Sequence, residues 1–170
     1  MVEVRELGPD DAAALTALYG DYEWWADRDV GDVRRALAET DLTLGSLEVI
    51  GDAAGDSDDT VAGRSAVGGA GEDRLVGAAR VLTDFTYYGT VYDVVVATGR
   101  RGSGVGGDLL GALRDHPALQ DLPGLSLLCR EGLVPFYESV GFEVYDREME
   151  IPDNGTEELV RMTIEFERDE

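Results

Sequence analysis

The amino-acid sequence predicts an α/β fold built on a mixed β-sheet. Segments whose apolar residues alternate, as in strands, are interspersed with segments whose apolar residues recur at helical spacing. One strand segment contains Val94–Val96, a β-branched run that is typical of a buried central strand. The predicted order of elements is β-α-α-β-β-β-α-β-α-β-β. A length of 170 residues and a hydrophobic content of 44% suit a single domain covering residues 1–170.

The first part of the chain predicts a strand, two helices and a second strand. Val2 and Val4 alternate with charged residues, which indicates a short strand. A helix begins near Pro9, because proline suits the first helical position, and a second begins near Asp29. The second strand is predicted from Leu47 to Ile50. The helical apolar positions are Ala12, Leu15, Leu18, Tyr19 and Tyr22 in the first helix, and Val33 and Leu37 in the second.

Residues 51–73 have a different composition from the rest of the chain. They contain six Gly, five Asp and five Ala in 23 positions, without apolar periodicity. We predict a mobile surface loop that joins two strands rather than a linker between domains.

The remaining elements follow from the same patterns. Strands are predicted at Arg74–Leu82 and Thr90–Val96, and a third at Leu125–Cys129. Val160 to Phe166 alternates apolar with polar residues, which indicates a half-buried strand. Two helices are predicted from apolar spacing: one through Val105, Leu109, Leu110 and Leu113, and one through Leu133, Phe136, Tyr137 and Val140, ended by Gly141.

The chain is strongly acidic. It has 36 Asp and Glu residues against 14 basic residues, all of them arginine, which gives a formal net charge of −22. Repulsion among these charges would strain a compact fold in dilute buffer, whereas the Debye length of ~3 Å at molar salt screens it. We therefore expect adaptation to a salt-rich cytoplasm; the alternative is an acidic surface for cationic partners. Binding of nucleic acid through a basic face is disfavoured.

The composition also excludes several kinds of site. Cys129 is the only cysteine and His116 the only histidine. A disulfide framework within the chain, a multi-cysteine zinc site and a histidine-based metal centre are therefore excluded. No apolar run approaches the ~18 residues of a membrane span, and the first residues lack the pattern of a secretory signal. We expect a cytoplasmic protein without membrane contact or metal, as a monomer or homodimer.

The most informative segment is Val94–Leu110, where the β-branched strand leads into a glycine-rich turn and then a helix. Glycines let the main chain approach a ligand closely, and a helix start offers unpaired N–H groups. Arg100 and Arg101 add charge, so the segment predicts a phosphate or pyrophosphate site. A merely tight turn remains an alternative. So does a dinucleotide site, because Gly102–Gly107 matches G-x-G-x-x-G, although that fingerprint begins at the strand's end and here Ala97–Arg101 intervene.

Two blocks of the sequence resemble the GCN5-related N-acetyltransferase (GNAT) superfamily. The acetyl-CoA loop of that family reads Q/R-x-x-G-x-G/A, and Arg101–Gly106 fits it position by position. The second block is Leu127–Cys129 followed by Pro135–Phe142, which corresponds to a strand, a short helix with Phe-Tyr and a closing Gly-Phe. One helix and one strand separate the blocks, as in the family. The resemblance implies a mixed, mostly antiparallel central sheet flanked by helices.

The resemblance implies transfer of an acetyl group from acetyl-CoA to a primary amine by direct attack in a ternary complex. Main-chain groups of Val94 and Val96 would pair with the pantetheine arm, and the Val94 N–H would point at the thioester oxygen. The turn and the Arg101 side chain would hold the pyrophosphate. Arg130 would touch CoA phosphates or, alternatively, pair with Glu131 at the surface. The cofactor-binding residues so implied are Val94, Val95, Val96, Arg101, Gly102, Ser103, Gly104, Val105, Gly106 and Arg130.

By the same resemblance, Tyr137 is the general acid that protonates the departing CoA thiolate, and Tyr137 and Val94 are the catalytic residues. The alternative for Tyr137 is a core position beside Phe136. Some family members have a catalytic glutamate on the fourth strand, where this chain has Thr90, which cannot act as a base. Asp93 ranks low as a base, because a regular strand places it on the face opposite Val94. The candidate bases are Tyr92, Tyr88, Asp84 and Glu23.

In this superfamily the first two helices and their connection shape the acceptor site. Here the connection contains aromatic and acidic side chains, which would receive a cationic amine or would instead pack the helix pair against the sheet. The acceptor that the resemblance implies is a small-molecule or peptide amine. Because Thr90 replaces the glutamate, a catalytically weak CoA-binding sensor or interaction module on the same fold is the alternative function. The predicted substrate-binding residues are Tyr22, Glu23, Trp24 and Trp25.

Overall fold

The computed structural model describes residues 2–49 and 73–145, together with the backbone of residues 148–151 and 155–158. The chain forms two compact units, Met1–Cys129 and Arg130–Glu170; the expectation of one domain stays a prediction. The order of strands and helices in the described part agrees with the predicted order. The strands are β1 (Val2–Glu6), β2 (Leu42–Glu48), β3 (Arg74–Thr83), β4 (Gly89–Val96), β5 (Ser126–Leu127), β6 (Glu148–Ile151) and β7 (Gly155–Glu158). The helices are α1 (Ala12–Tyr19), α2 (Val30–Glu39), α3 (Val105–Arg114) and α4 (Val134–Ser139).

Five strands of the first unit form one sheet in the order β1-β2-β3-β4-β5. The first three pairings are antiparallel, and β5 lies parallel to β4. The prediction of a mixed, mostly antiparallel sheet is therefore confirmed. In the second unit, β6 and β7 form a separate antiparallel pair.

Helices cover both faces of the central strand, β3. A Cβ atom on Gly77 would lie 3.0 Å from Val105 of α3, whereas Arg80 donates to the hydroxyl of Thr40, which follows α2. These two β3 positions are an odd number of residues apart, and side chains alternate along a strand, so they mark opposite faces. In the part of the chain that the structure describes, no helix is long and apolar enough to cross a membrane. Buried core residues include Leu15, Val33, Leu37, Val76, Ala78, Val95 and Val105.

Two predicted strands have other limits in the structure. The strand predicted at Leu47–Ile50 begins earlier, because β2 starts at Leu42. Every residue of β2 except the last is buried, and Gly45 and Ser46 interrupt the alternation that Leu42, Thr43 and Leu44 begin, so only its end is apparent from the sequence. The strand predicted at Leu125–Cys129 is reduced to the two residues of β5, since β5 pairs with only two residues of β4.

Two further predictions lie outside the described residues. These are the loop at 51–73, of which the structure describes only Asp73, and the strand from Val160 to Phe166.

Candidate functional site

A β-bulge interrupts β4 beside the β-branched run. The register of β4 against β3 shifts between Tyr92 and Val95, so that Asp93 and Val94 together face a single residue of β3. Asp93 has a φ of 51°, in the left-handed region that residues other than glycine rarely adopt. A bulge takes its extra residue out of the regular ladder and redirects the groups around it. Val94, whose N–H is expected to face a ligand, therefore lies where the regular pairing is broken.

The edge of β4 beyond the bulge is not paired with β5, which contacts only two residues near the start of β4. The Ala97 N–H donates to a carbonyl of β3 (2.8 Å). Because main-chain groups alternate along an antiparallel strand, those of Val95 face β3 as well, and those of Val96 face the opposite side. The Val95 side chain is fully buried. Val95 is therefore engaged within the sheet, and its cofactor role stays a prediction.

A single hydroxyl group satisfies the outward-facing main chain of Val96. The Tyr22 hydroxyl accepts a hydrogen bond from the Val96 N–H (2.9 Å) and donates one to the Val96 carbonyl (2.8 Å). It thus engages the donor and the acceptor that an extended amide-containing ligand would use on this edge. Tyr22 connects the segment between α1 and α2 to the strand predicted to bind pantetheine.

The glycine-rich turn follows β4 and ends at the start of α3. A short 3₁₀ turn covers Thr98–Arg100, and the Ser103 hydroxyl donates to the Arg100 carbonyl (2.6 Å). Gly102 and Gly104 have φ values of 73° and 90°, so both positions favour glycine for conformational reasons. A Cβ atom at either position would meet no atom within 4 Å. The space beside this main chain is therefore open.

The turn has the chemistry of an anion site. N–H groups in the first turn of α3, starting at Val105, have no intrahelical acceptors and carry the positive end of the helix dipole. The exposed Arg101 guanidinium lies 4.7 Å from the centroid of the Tyr22 ring. Arg100 is instead ion-paired with Glu48, and this hydrogen-bonded carboxylate raises the pKa of Arg100. Arg101 and the turn thus fit the pyrophosphate of a CoA thioester.

The aromatic residues predicted to bind the acceptor lie in the connection between α1 and α2. Tyr22 and Trp25 pack against the core, with ring centroids 5.4 Å apart. The Arg28 guanidinium lies 5.0 Å from the centroid of Trp25, so a cation of the protein itself covers that ring. Glu23 and Trp24 are exposed. The structure supports the packing alternative for Tyr22 and Trp25, and the acceptor role of all four residues stays a prediction.

The candidate bases differ in their surroundings. Asp84 accepts hydrogen bonds from the main-chain N–H groups of Tyr88 and two neighbouring residues, which lower the pKa of this carboxyl. A lower pKa makes a carboxylate a weaker base. Asp84 is therefore better suited to stabilising the turn at residues 84–88 than to accepting a proton in catalysis. The Thr90 hydroxyl lies 3.2 Å from that of Ser126 on β5. The remaining candidates, Glu23, Tyr88 and Tyr92, are exposed, and the identity of the base stays a prediction.

Asp93 has a placement that the sequence did not predict. Its carboxylate accepts hydrogen bonds from Arg28 and Arg80 (2.8 Å each) and from the Tyr19 hydroxyl (3.0 Å), and its side chain is only 10% exposed. Burial raises the pKa of this carboxyl, but the bonds and charges of the two arginines outweigh burial and hold the pKa below its usual value. The low ranking assumed a regular strand, and the bulge breaks that regularity. The sequence signal that could have indicated this placement is an acidic residue, Asp93, within a run of β-branched residues.

Tyr137 and Arg130 lie in the second unit. Tyr137 is part of α4 and is buried, with its ring centroid 5.0 Å from that of Phe136 and 5.9 Å from that of Phe142. Gly141, with a φ of 98°, follows the end of α4 as predicted. Arg130 is exposed. The catalytic role of Tyr137 and the cofactor role of Arg130 stay predictions.

Comparison with known proteins decides the family. A family model described as an acetyltransferase (GNAT) domain matches residues 61–166, well over half of the chain. The chain belongs to this GNAT family. The resemblance seen in the sequence is thereby confirmed, and acetyl transfer is the general chemistry of the family.

Curated relatives match the GNAT chain over 72 and 123 residues. Histone acetyltransferase TAP1 of Glycine max is 33% identical over 72 residues, which make up 42% of this chain and 31% of the relative. GCN5-related N-acetyltransferase 2, chloroplastic, of Arabidopsis thaliana is 29% identical over 123 residues, 70% of this chain and 45% of the relative. The chain therefore spans less than half the length of either relative.

Solved structures share the fold over nearly the whole chain. A protein from Xanthomonas campestris pv. campestris assigned to the GNAT family has a TM-score of 0.61 and 25% identity, with 94% of both chains covered. Glucosamine-6-phosphate N-acetyltransferase from Arabidopsis thaliana has a TM-score of 0.61 and 17% identity, with 88% of this chain and 96% of that chain covered. The second likeness is one of fold alone.

Proposed function

We propose that this GNAT chain is an acetyl-CoA-dependent N-acetyltransferase that transfers the acetyl group to a primary amine by direct attack in a ternary complex. One observation carries the proposal: the bulge at Asp93 and Val94, the edge at Val96 that β5 does not pair with but the Tyr22 hydroxyl engages, and the glycine-rich turn follow one another along the chain. An extended ligand with an anionic end suits such a stretch. The edge offers main-chain hydrogen bonds, and the turn offers helix N–H groups and the Arg101 charge.

On the donor side, each group has a distinct task. The bound CoA thioester supplies an activated acetyl group. The Val94 N–H would stabilise the negative charge that develops on the carbonyl oxygen. Val96 would bind the amides of pantetheine through the N–H and C=O that Tyr22 otherwise engages. The main chain of the turn up to Gly106 would hold the pyrophosphate together with Arg101.

Of the two proton transfers in the reaction, the one to the departing thiolate is assigned to a single residue. Tyr137 would donate a proton to the departing thiolate, as the family resemblance implies. A thiol has a pKa near 8.5 and its thiolate leaves without great difficulty, so this donor accelerates the reaction rather than making it possible. The acceptor amine has to lose its proton before it attacks, and the candidates for the base that accepts this proton are Tyr92, Tyr88, Asp84 and Glu23.

The acceptor is proposed to be a small-molecule or peptide amine. The curated relatives include a histone acetyltransferase, which supports the peptide class of acceptor. We also propose that the protein is adapted to high salt, because of its charge of −22 and its lack of lysine. A cytoplasmic location and a monomeric or homodimeric state are part of the same proposal.

A second function is favoured by the surroundings of Thr90. This residue stands where some family members have a catalytic glutamate, and its hydroxyl lies 3.2 Å from that of Ser126. Asp84 and Asp93 have their carboxylates engaged by N–H groups and arginines, respectively. A chain that binds CoA with little turnover would have these features, which keeps a sensor or interaction module as the alternative.

One experiment separates the two functions. The protein is incubated in molar KCl with acetyl-CoA and a panel of amines that includes amino sugars, polyamines and peptide N-termini, and free thiol is measured against time. Amine-dependent thiol release supports the acetyltransferase. Calorimetric binding of acetyl-CoA without release for any amine supports the module, and absence of both binding and release refutes both functions.

A further inference from the structure

The carboxylate of Asp93 brings together several parts of the first unit. Its Oδ2 atom accepts hydrogen bonds from the Tyr19 hydroxyl (3.0 Å), Arg28 Nη1 (2.8 Å) and Arg80 Nη1 (2.8 Å), and Oδ1 accepts a longer one from Arg28 Nη2 (3.4 Å). Arg80 also donates to the Thr40 hydroxyl, at 2.8 and 3.1 Å. One side chain thus ties β4 to β3, to the end of α1, to the segment before α2 and, through Arg80, to the end of α2.

These contacts hold a main chain in an unfavourable conformation. Asp93 has a φ of 51°, which aspartate tolerates better than most residues but which surrounding contacts have to maintain. Arg28 and Arg80 reach the carboxylate from different elements, so turning the main chain at Asp93 would break both ion pairs. With the side chain only 10% exposed, water cannot readily replace them.

The conformation of Asp93 also sets the direction of the next N–H group. The Val94 N–H belongs to the planar peptide unit that joins Asp93 to Val94, so the main-chain angles of Asp93 determine where that N–H points. We propose that Asp93 is a positioning residue, which through Arg28 and Arg80 holds the bulge of β4 and thereby aims the Val94 N–H. The inference rests on the proposed function, in which this N–H stabilises charge on the acetyl carbonyl oxygen.

A positioning role has a specific kinetic signature. The CoA part of the donor is anchored further along the chain, at Arg101–Gly106, so the KM for acetyl-CoA should change little when Asp93 is altered. Loss of a donor to a developing oxyanion lowers kcat by about 10²–10³-fold, and a misdirected N–H should produce part of that loss. We expect kcat to fall at least about tenfold while KM stays within about threefold.

The test compares Asp93→Asn with Asp93→Gly in the full chain, in molar KCl, at a temperature well below the melting transition of each variant. Asparagine keeps the shape of the side chain and tolerates a left-handed main chain but removes the charge, whereas glycine frees the main chain and removes the side chain. Both variants should lower kcat and spare KM. Asp32→Asn is the matched control, because Asp32 also pairs with an arginine, Arg35, but is 64% exposed on α2. It should keep wild-type kinetics.

The outcomes separate this inference from its alternatives. A wild-type kcat in Asp93→Gly would overturn the proposal, because the position would then need only a permissive main chain. If neither Asp93 variant folds, Arg28→Gln decides, since it removes one of the two ion pairs of Asp93 and leaves the pair with Arg80 in place. A kcat about threefold lower at unchanged KM supports the proposal, and wild-type kinetics overturns it. If the wild-type protein releases no thiol with any amine, the proposed function is refuted. If the wild-type protein turns over and none of the variants changes its kinetics, only the positioning role of Asp93 is refuted.

Discussion

Replacing Gly104 by alanine is expected to destabilise the protein through its main chain alone. A Cβ atom at this position would meet nothing within 4 Å, so no steric clash contributes. The φ of 90°, however, lies in the left-handed region, where a residue with a Cβ atom is less stable by about 1–2 kcal/mol. For a chain of this size that penalty lowers the melting temperature by about 2–8 °C.

The same substitution should also weaken ligand binding. If the strained turn relaxes, the N–H groups at the start of α3 no longer point at one anion, and we expect the affinity for acetyl-CoA to fall by about tenfold, or ~1.4 kcal/mol. Thermal melts in molar KCl measure the first effect, and calorimetric titration with acetyl-CoA measures the second.

Gly99→Ala is the control for this prediction. Gly99 lies in the same turn and also has open space at its Cβ position, but its φ is not in the left-handed region. Alanine there should leave the melting temperature unchanged or raise it slightly, because it restricts the unfolded chain. Equal melting temperatures for Gly104→Ala and Gly99→Ala would refute the argument that main-chain conformation selects glycine at position 104.

Three other measurements test the roles of Arg101 and Tyr137 and the effect of the net negative charge on stability. Arg101→Ala should weaken acetyl-CoA binding by about 10-fold to 150-fold, because one charge-assisted contact is lost; calorimetric affinity equal to that of the surface control Arg34→Ala would remove Arg101 from the site. Tyr137→Phe keeps the ring beside Phe136 and Phe142, so its melting temperature should change little while kcat falls about tenfold or more. Normal turnover with lowered stability would instead make Tyr137 a core residue. The melting temperature should decrease when the KCl concentration is lowered below about 0.5 M, where the Debye length exceeds ~4 Å. A melting temperature that does not depend on salt would contradict the screening argument.

Features that depend on neighbouring residues could be predicted from the sequence. The helical spacing of Val105, Leu109, Leu110 and Leu113 places all four in the core, and the structure buries each of them. The helix expected to begin after Asp29 does so, and the Asp29 carboxylate accepts a hydrogen bond from the Asp32 N–H (3.0 Å). The glycine-rich turn and the order of elements likewise follow from local patterns, because periodicity and turn chemistry are written in consecutive residues.

The details of the candidate site were decided by tertiary structure. The bulge at Asp93 is a mismatch between two strands, so the β4 sequence by itself cannot show it. The hydrogen bonds between Tyr22 and Val96 join residues 74 positions apart, and the Asp93 carboxylate meets Arg28 across 65 positions. The sequence by itself determined the order of strands and helices in the described part, and it predicted where an anion would bind. What lies opposite each residue in space depends on how those segments pack, and no period of two or 3.6 residues carries that information.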